Sequence, residues 1–222
     1  MLQTRLLPQP RRHPPRSGRN RKPRHDRPGL RAPWGGARRP GRLDLDAFWK
    51  HTIGTGFAAK AIAGKLQVEL ESAFLAGVLH DLGKTVLHRY FSDYCGAVLQ
   101  NVRRDGGTLL DAEQAHLGVT HAHIGAQLAT LWQFAENYLS VILHHHQPAE
   151  AKKYQRLVCL IHVTDVLCWE LEFGSGGDSE VPEIDEHALD RFGLRERGLD
   201  HLREAVKAEF ENAELFLAAL SN

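Results

Sequence analysis

Cysteine is scarce in this chain. Cys95, Cys159 and Cys168 are the only three in 222 residues, and no two of them form a CxxC pair. An odd number without metal-ligand spacing argues against a disulfide framework or a cysteine-held zinc, and suits a reducing cytoplasm. No apolar run reaches the roughly 18 residues of a membrane span, and no secretory signal pattern opens the chain. Proline is nearly confined to one end, with eight of the ten before residue 44. Acid is missing from that same stretch. Residues 1–43 hold 12 Arg and one Lys against Asp26 alone, a charge of +12, so the remainder carries −11 behind a net charge of +1.

These are two kinds of polypeptide. Residues 1–43 cannot build a core, and like-charge repulsion and proline favour disorder. Three readings compete for them. One is a basic arm for nucleic-acid phosphates. Another is a targeting peptide, although the prolines deny it an amphipathic helix. The third, preferred here, is an inert or out-of-frame stretch ahead of a shortened gene. No base-reading or aromatic-stacking pattern supports the first, which argues against nucleic acid as a partner. Hydrophobic residues make up 42% of the chain, enough to fill the core of one domain over 44–222.

From Asp44, a plausible N-cap, the periodicity is helical throughout and the expected class is all-α. Leu45, Phe48, Trp49, Ile53, Ala59, Ile62 and Leu66 predict a first helix over about 45–66. A second, starting near Glu71 or Ser72, should carry His80 and Asp81 and kink at Gly83. Ser92 can cap a helix running through Arg104, and Thr108 one that Gly118 closes. Thr120 can cap a helix containing His121, His123 and Gly125. The segment ENYLSVILHHH ends in His144, His145 and His146 before Pro148. A long helix over about 151–172 carries one apolar side of Leu157, Leu160, Ile161, Thr164, Leu167, Cys168 and Leu171, with Asp165 inside the pattern. A flexible loop, 173–183, precedes helices over about 185–192 and 196–219.

His51, His80, Asp81, His121, the run 144–146 and Asp165 are at odds with their apolar surroundings and fall on five predicted helices. A lone residue of this kind is usually a satisfied core group. Six or seven each need a buried partner, and a shared metal centre would satisfy all of them at once. Mixed imidazole and carboxylate ligands suit iron, manganese or zinc better than calcium. Lys84 adds a cation beside Asp81.

In their order, these residues resemble the HD superfamily of metal-dependent phosphohydrolases. The resemblance is closest to the HDOD domain, a mostly bacterial signalling relative of the HD-GYP phosphodiesterases. The motifs that carry it are FWKHT with His51, HDLGK at 80–84, EQAHLGVTHAHIGAQL at 113–128 followed by Trp132, HHQP at 145–148 and HVTDVL with Asp165. It covers about 45–210. It implies two divalent transition-metal ions, iron or manganese with zinc as an alternative. His51, His80, Asp81 and Asp165 would hold the first. Asp81 would bridge to a second, held by His121, His145 and His146. Asp81 and Lys84 would be the catalytic pair, Lys84 contacting a substrate phosphate or orienting the attacking group. His123 stands about 200° around a helix from His121 and is set aside. His144 could exchange with His146 by a register error of one. His162 is read as a packed histidine, with a supporting place behind the ligands as the alternative.

Three departures qualify the carry-over. QPAEAKKYQ replaces the glycine-tyrosine-proline loop of the HD-GYP relatives, which argues against cyclic dinucleotide cleavage. Ala47 stands where some of them place a further glutamate ligand. The basic tail stands where an HDOD domain has an additional helical half, so the domain is expected to be shortened and to expose an apolar face. The expected function is hydrolysis of a nucleotide-like phosphate ester in bacterial signalling. The alternative is a non-catalytic regulatory module that keeps the metal residues and serves a signalling-protein partner. A nucleic-acid binder acting through the tail is the third and weakest.

Overall fold

The computed structural model describes residues 43–220. The Arg/Pro-rich stretch up to residue 42 lies outside them. Among the described residues there is no strand, and the architecture is all-α. The helices are α1 (Leu45–Ala63), α2 (Leu70–Leu79), α3 (Leu82–Tyr90), α4 (Ser92–Asp105), α5 (Leu109–Leu117), α6 (His121–Leu131), α7 (Glu136–His144), α8 (Gln155–Glu170), α9 (Glu186–Phe192), α10 (Glu196–Ala208) and α11 (Phe210–Leu220), with a 3-10 turn at Pro148–Glu150. Local chemistry sets several boundaries. Asp44 Oδ1 accepts from Ala47 N at 3.2 Å, Thr108 Oγ1 accepts from Asp111 N at 3.1 Å, and Gly118 ends α5 at φ +70°.

The core forms where α1 and α8 cross. Ala58, Ala59, Ile62 and Ala63 of α1 meet Val158, Leu160, Ile161 and Leu167 of α8. Each large side chain so buried contributes about 1.5–3 kcal/mol. The sequence predicted one apolar side for α8, but every residue from Leu157 to Cys168 is buried. The reason is its central position, with α1, α2, α7, α9 and α10 around it, so its polar members must find partners inside. Helix α2 lies close on α1 because Gly77 meets Gly56, where a Cβ would fall 2.7 Å from backbone atoms.

Two further expectations change. The last predicted helix is two, broken at Glu209, and Phe210 stacks on Phe173 with ring centroids 3.9 Å apart. The segment expected to be a flexible loop is a pinned strap. Ser175 N donates to Ala47 O at 2.9 Å, Leu109 N donates to Asp178 Oδ1 at 2.5 Å, and the Phe173 ring is buried.

Candidate metal centre

Asp81 stands at the focus. The sequence placed His80 and Asp81 within a helix that kinks at Gly83. In fact α2 ends at Leu79, and Asp81 (φ −97°, ψ 16°) forms the junction from which α3 begins. Gly83 instead allows α3 to touch α6. A Cβ there would run into the His121 carbonyl and lie 2.8 Å from Gly125 N. That approach brings His121 to the Asp81 carboxylate. Both side chains are buried, as are those of His51, His80, Lys84, His145 and Asp165.

The two carboxylate oxygens of Asp81 face different histidines. Oδ2 lies 3.4 Å from His80 Nε2. Oδ1 lies 3.3 Å from His121 Nε2 and 3.5 Å from His145 Nε2. Asp165 Oδ1 is 2.8 Å from His51 Nε2 and 3.7 Å from His80 Nε2. His146, half-buried, puts its Nε2 2.9 Å from that of His121. Atoms that could ligate a metal therefore gather in two sets around Asp81, one of His51, His80 and Asp81 and the other of Asp81, His121, His145 and His146. Asp165 adjoins the first set through His51 and His80. His123, exposed on α6, pairs with Thr120 Oγ1 at 2.8 Å, and His144 stands outside both sets.

These residues fit a metal ion on two grounds. His80 Nε2, both Asp81 oxygens and His145 Nε2 are buried with no hydrogen-bond partner. Such atoms cost about 1–3 kcal/mol each when left unsatisfied. Moreover, donors held 2.0–2.1 Å from one ion lie roughly 2.9–3.4 Å from each other. Most separations around Asp81 are near that range. Lys84 Nζ lies 2.8 Å from Asp81 Oδ2, an ion pair without the alignment of a hydrogen bond.

The charge states follow from these neighbours. Burial alone would raise the Asp81 pKa, but Lys84 and His80 outweigh it and hold the carboxyl well below its usual range. Asp165 is likewise depressed against its own burial, chiefly by the His51 contact. Burial would lower Lys84, yet Asp81 keeps it above its ordinary value. Burial also opposes a proton on His121, but Glu113 carries it up to about 9. Burial drives His145 down to about 4 and His146 well below the ordinary imidazole value. A cation binding at His121 competes with that proton.

Two supporting residues had been given no role or a minor one. Glu113 Oε2 accepts from His121 N at 2.7 Å and pairs with its Nδ1 at 2.6 Å. This carboxylate–imidazole contact orients Nε2 toward Asp81. Only the family pattern pointed to Glu113, because α5 and α6 meet through a turn whose geometry no periodicity reveals. The strap is the other feature. A Cβ on Gly176 would lie 2.8 Å from Lys84 Nζ and 3.3 Å from Asp81 Oδ2, so the strap backbone closes that side of the cavity.

Comparison with known proteins gives the family and the fold. The HDOD domain profile matches residues 36–148, just over half of the chain. The chain belongs to the HDOD domain family. An HDOD domain protein of unknown function from Geobacter sulfurreducens superposes with a TM-score of 0.62 at 23% identity, over 80% of this chain and 62% of that one. A protein from Marinobacter aquaeolei VT8, provisionally described as a signal transduction protein, gives a TM-score of 0.68 at 21% identity, over 84% of this chain and 41% of that one. A protein from Shewanella amazonensis SB2B, provisionally described as a phosphohydrolase, gives 0.59 at 22% identity, over 78% and 64%. At these identities the likeness concerns the fold. An uncharacterized protein of Treponema pallidum (strain Nichols) is 24% identical over 169 residues, and the match spans 32% of its length. No described helix of this HDOD protein is long and apolar enough to cross a membrane.

Proposed function

We propose that this HDOD protein is a metal-dependent phosphohydrolase or phosphodiesterase acting on a nucleotide-like phosphate ester in bacterial signalling. The observation that carries the reading is the convergence of three buried imidazole nitrogens, those of His80 and His145 without a hydrogen-bond partner, on the two oxygens of Asp81. His51, His80 and Asp165 would hold one divalent cation and His121, His145 and His146 a second, with Asp81 shared between them. Such a pair of ions, iron or manganese with zinc as the alternative, supplies Lewis-acid polarisation of a phosphoryl oxygen and a hydroxide nucleophile at neutral pH.

The chain's own residues do the rest. Asp81 keeps its two oxygens pointed at the two ligand sets. Lys84 holds Asp81 ionised and places an ammonium at the cavity wall, where developing negative charge on a phosphate ester would be stabilised. Glu113 fixes the ring of His121. His146 is the half-buried member of its set, which makes its edge the side for substrate approach.

A second reading is a non-catalytic signalling module that uses the metal to hold its shape for a protein partner. The strap favours it, because Gly176 lies against Lys84 and Asp81 on the side where a substrate phosphate would meet the ammonium. The test is turnover of bis-p-nitrophenyl phosphate by the full chain loaded with Mn(II), Fe(II) or Zn(II), compared with Asp81→Ala. The enzyme reading expects an active parent and a dead variant. A parent that binds metal yet turns over no phosphate ester with any of the three metals sinks it and leaves the module.

A further inference from the structure

The turn that closes α7 presents two of the proposed ligands, His145 and His146. This is where a helix is weakest, because its final carbonyls have no partner within the helix. The His145 ring itself is well held. Its Nδ1 faces Val141 O at 3.2 Å and Ile142 O at 3.1 Å, leaving Nε2 for Asp81. The main-chain carbonyl of His145 is a different matter. It lies past the end of the helix, and Pro148, two residues beyond His146, cannot continue the ladder.

That carbonyl is taken by a side chain from another helix. His162 of α8, buried, brings Nδ1 to 2.7 Å from His145 O. Its other nitrogen, Nε2, accepts from Asp185 N at 2.8 Å. A carbonyl oxygen can only accept and a backbone N–H can only donate, so the tautomer is forced, with the single proton on Nδ1. His162 is thus a two-ended strut. It reaches from the main chain at the start of α9, where Asp185 is the N-cap, through α8 to the ligand-bearing turn of α7.

We propose that His162 is a positioning residue for the His145–His146 half of the centre, fixing where the two imidazoles stand relative to Asp81. The inference rests on the metal reading of the site and not on any phosphate chemistry. A supporting partner of this kind typically contributes about 10–100-fold in metal affinity. His51 and His80 hang from α1 and the end of α2, and Asp165, although it shares α8 with His162, is held by His51 at 2.8 Å, so the effect should fall on one ion and spare the other. General loosening of the fold would not produce that asymmetry.

The experiment is titration of the full, metal-stripped chain with Mn(II), counting free ion by its electron paramagnetic resonance signal. The parent is expected to bind two ions. His162→Leu keeps the volume and removes both hydrogen bonds. It is expected to weaken one site about 10–100-fold and leave the other within about 2-fold. His162→Gln, which offers a donor and an acceptor, is expected to recover most of the loss. Should His162→Leu not fold, the strut can be cut at its far end. Asp185 has φ −61°, compatible with proline, so Asp185→Pro removes only the donated N–H beyond what Asp185→Ala also removes. Asp185→Pro should then show the one-site weakening and Asp185→Ala should not. Two sites weakened alike, or neither weakened, overturns the positioning role while leaving the metal reading intact. A parent that binds no Mn(II) overturns both.

Discussion

Gly83→Ala tests how the two halves of the centre are brought together. A Cβ at residue 83 would run into the His121 carbonyl oxygen and lie 2.7 Å from its carbon and 2.8 Å from Gly125 N. All three are backbone atoms, so no rotamer change gives relief, and ordinary contact begins only near 3.4 Å. Helices α3 and α6 would have to part by roughly an ångström, a misfit that costs about 3 kcal/mol, the upper end of the usual range for overpacking. For a chain of this size that corresponds to a fall in Tm of roughly 6–12 °C. The displaced helix carries His121, whose Nε2 sits 3.3 Å from Asp81 Oδ1, and metal sites tolerate only about 0.2 Å of misplacement. Metal affinity should therefore fall with stability. Circular dichroism melts with and without Mn(II) measure both effects. Gly64→Ala is the control, since nothing lies within 4 Å of its Cβ and its φ of −62° suits alanine; it is expected to be neutral or slightly stabilising. If Gly83→Ala melts within about 2 °C of the parent and binds Mn(II) equally well, the backbone contact at this crossing does not hold the site.

Glu113→Gln replaces the carboxylate that takes two hydrogen bonds from His121 with an amide oxygen and a competing donor; metal affinity should fall about 10–100-fold, and unchanged Mn(II) binding would contradict the orienting role. In the metal-free protein, stability should be greatest near pH 6.5–7, and the signs follow from the shifts. Burial holds His145 down to about 4, so its contribution is full above the unfolded value of about 6.5 and is lost as pH falls toward 4, by on the order of 3 kcal/mol. Against its burial, Glu113 holds His121 up at about 9, so that contribution is full below about 6.5 and disappears as pH rises through 9. Urea midpoints in chelator at pH 4.5, 6.5 and 9.5 check both arms, and a flat profile would contradict them.

The fold and the candidate site were legible in the sequence for different reasons. The all-α class followed from helical period and capping residues such as Asp44 and Thr108, whose effects are local. The candidate residues stood out because His51, His121 and Asp165 are polar residues inside apolar stripes, and burial makes such residues conspicuous. What periodicity could not show was placement in three dimensions. It read Gly83 as a kink because glycine breaks helices, whereas the glycine faces a second backbone that the sequence does not identify. It read 173–183 as a flexible loop because serine and glycine dominate it, yet Gly176 is small so that the strap can lie on Lys84. His162 looked like a packed histidine because its two partners are main-chain groups, which leave no mark on residue type.

The partnerless atoms lead to one more test. Three buried atoms at the centre, His80 Nε2, Asp81 Oδ1 and His145 Nε2, lack hydrogen-bond partners, and at about 1–3 kcal/mol each their combined cost is a large share of the 5–15 kcal/mol by which a domain is ordinarily stable. The α1–α8 core can carry part of that cost. A ligand that satisfies the atoms only in the folded state offsets the rest, and at 100 times its Kd it contributes about 2.7 kcal/mol per site. Stripping metal with a chelator should therefore lower Tm by roughly 5–11 °C per ion lost, and restoring Mn(II) should return it. Calcium, which prefers an all-oxygen shell, should not substitute for it. His80→Ala and His145→Ala each remove an orphaned nitrogen together with a proposed ligand. In chelator they should cost less than the 2–5 kcal/mol ordinary for a large core side chain cut to alanine, while in Mn(II) their deficit should grow. If the melting point is indifferent to metal, these atoms are satisfied by trapped water, and the energetic case for an ion at Asp81 is gone.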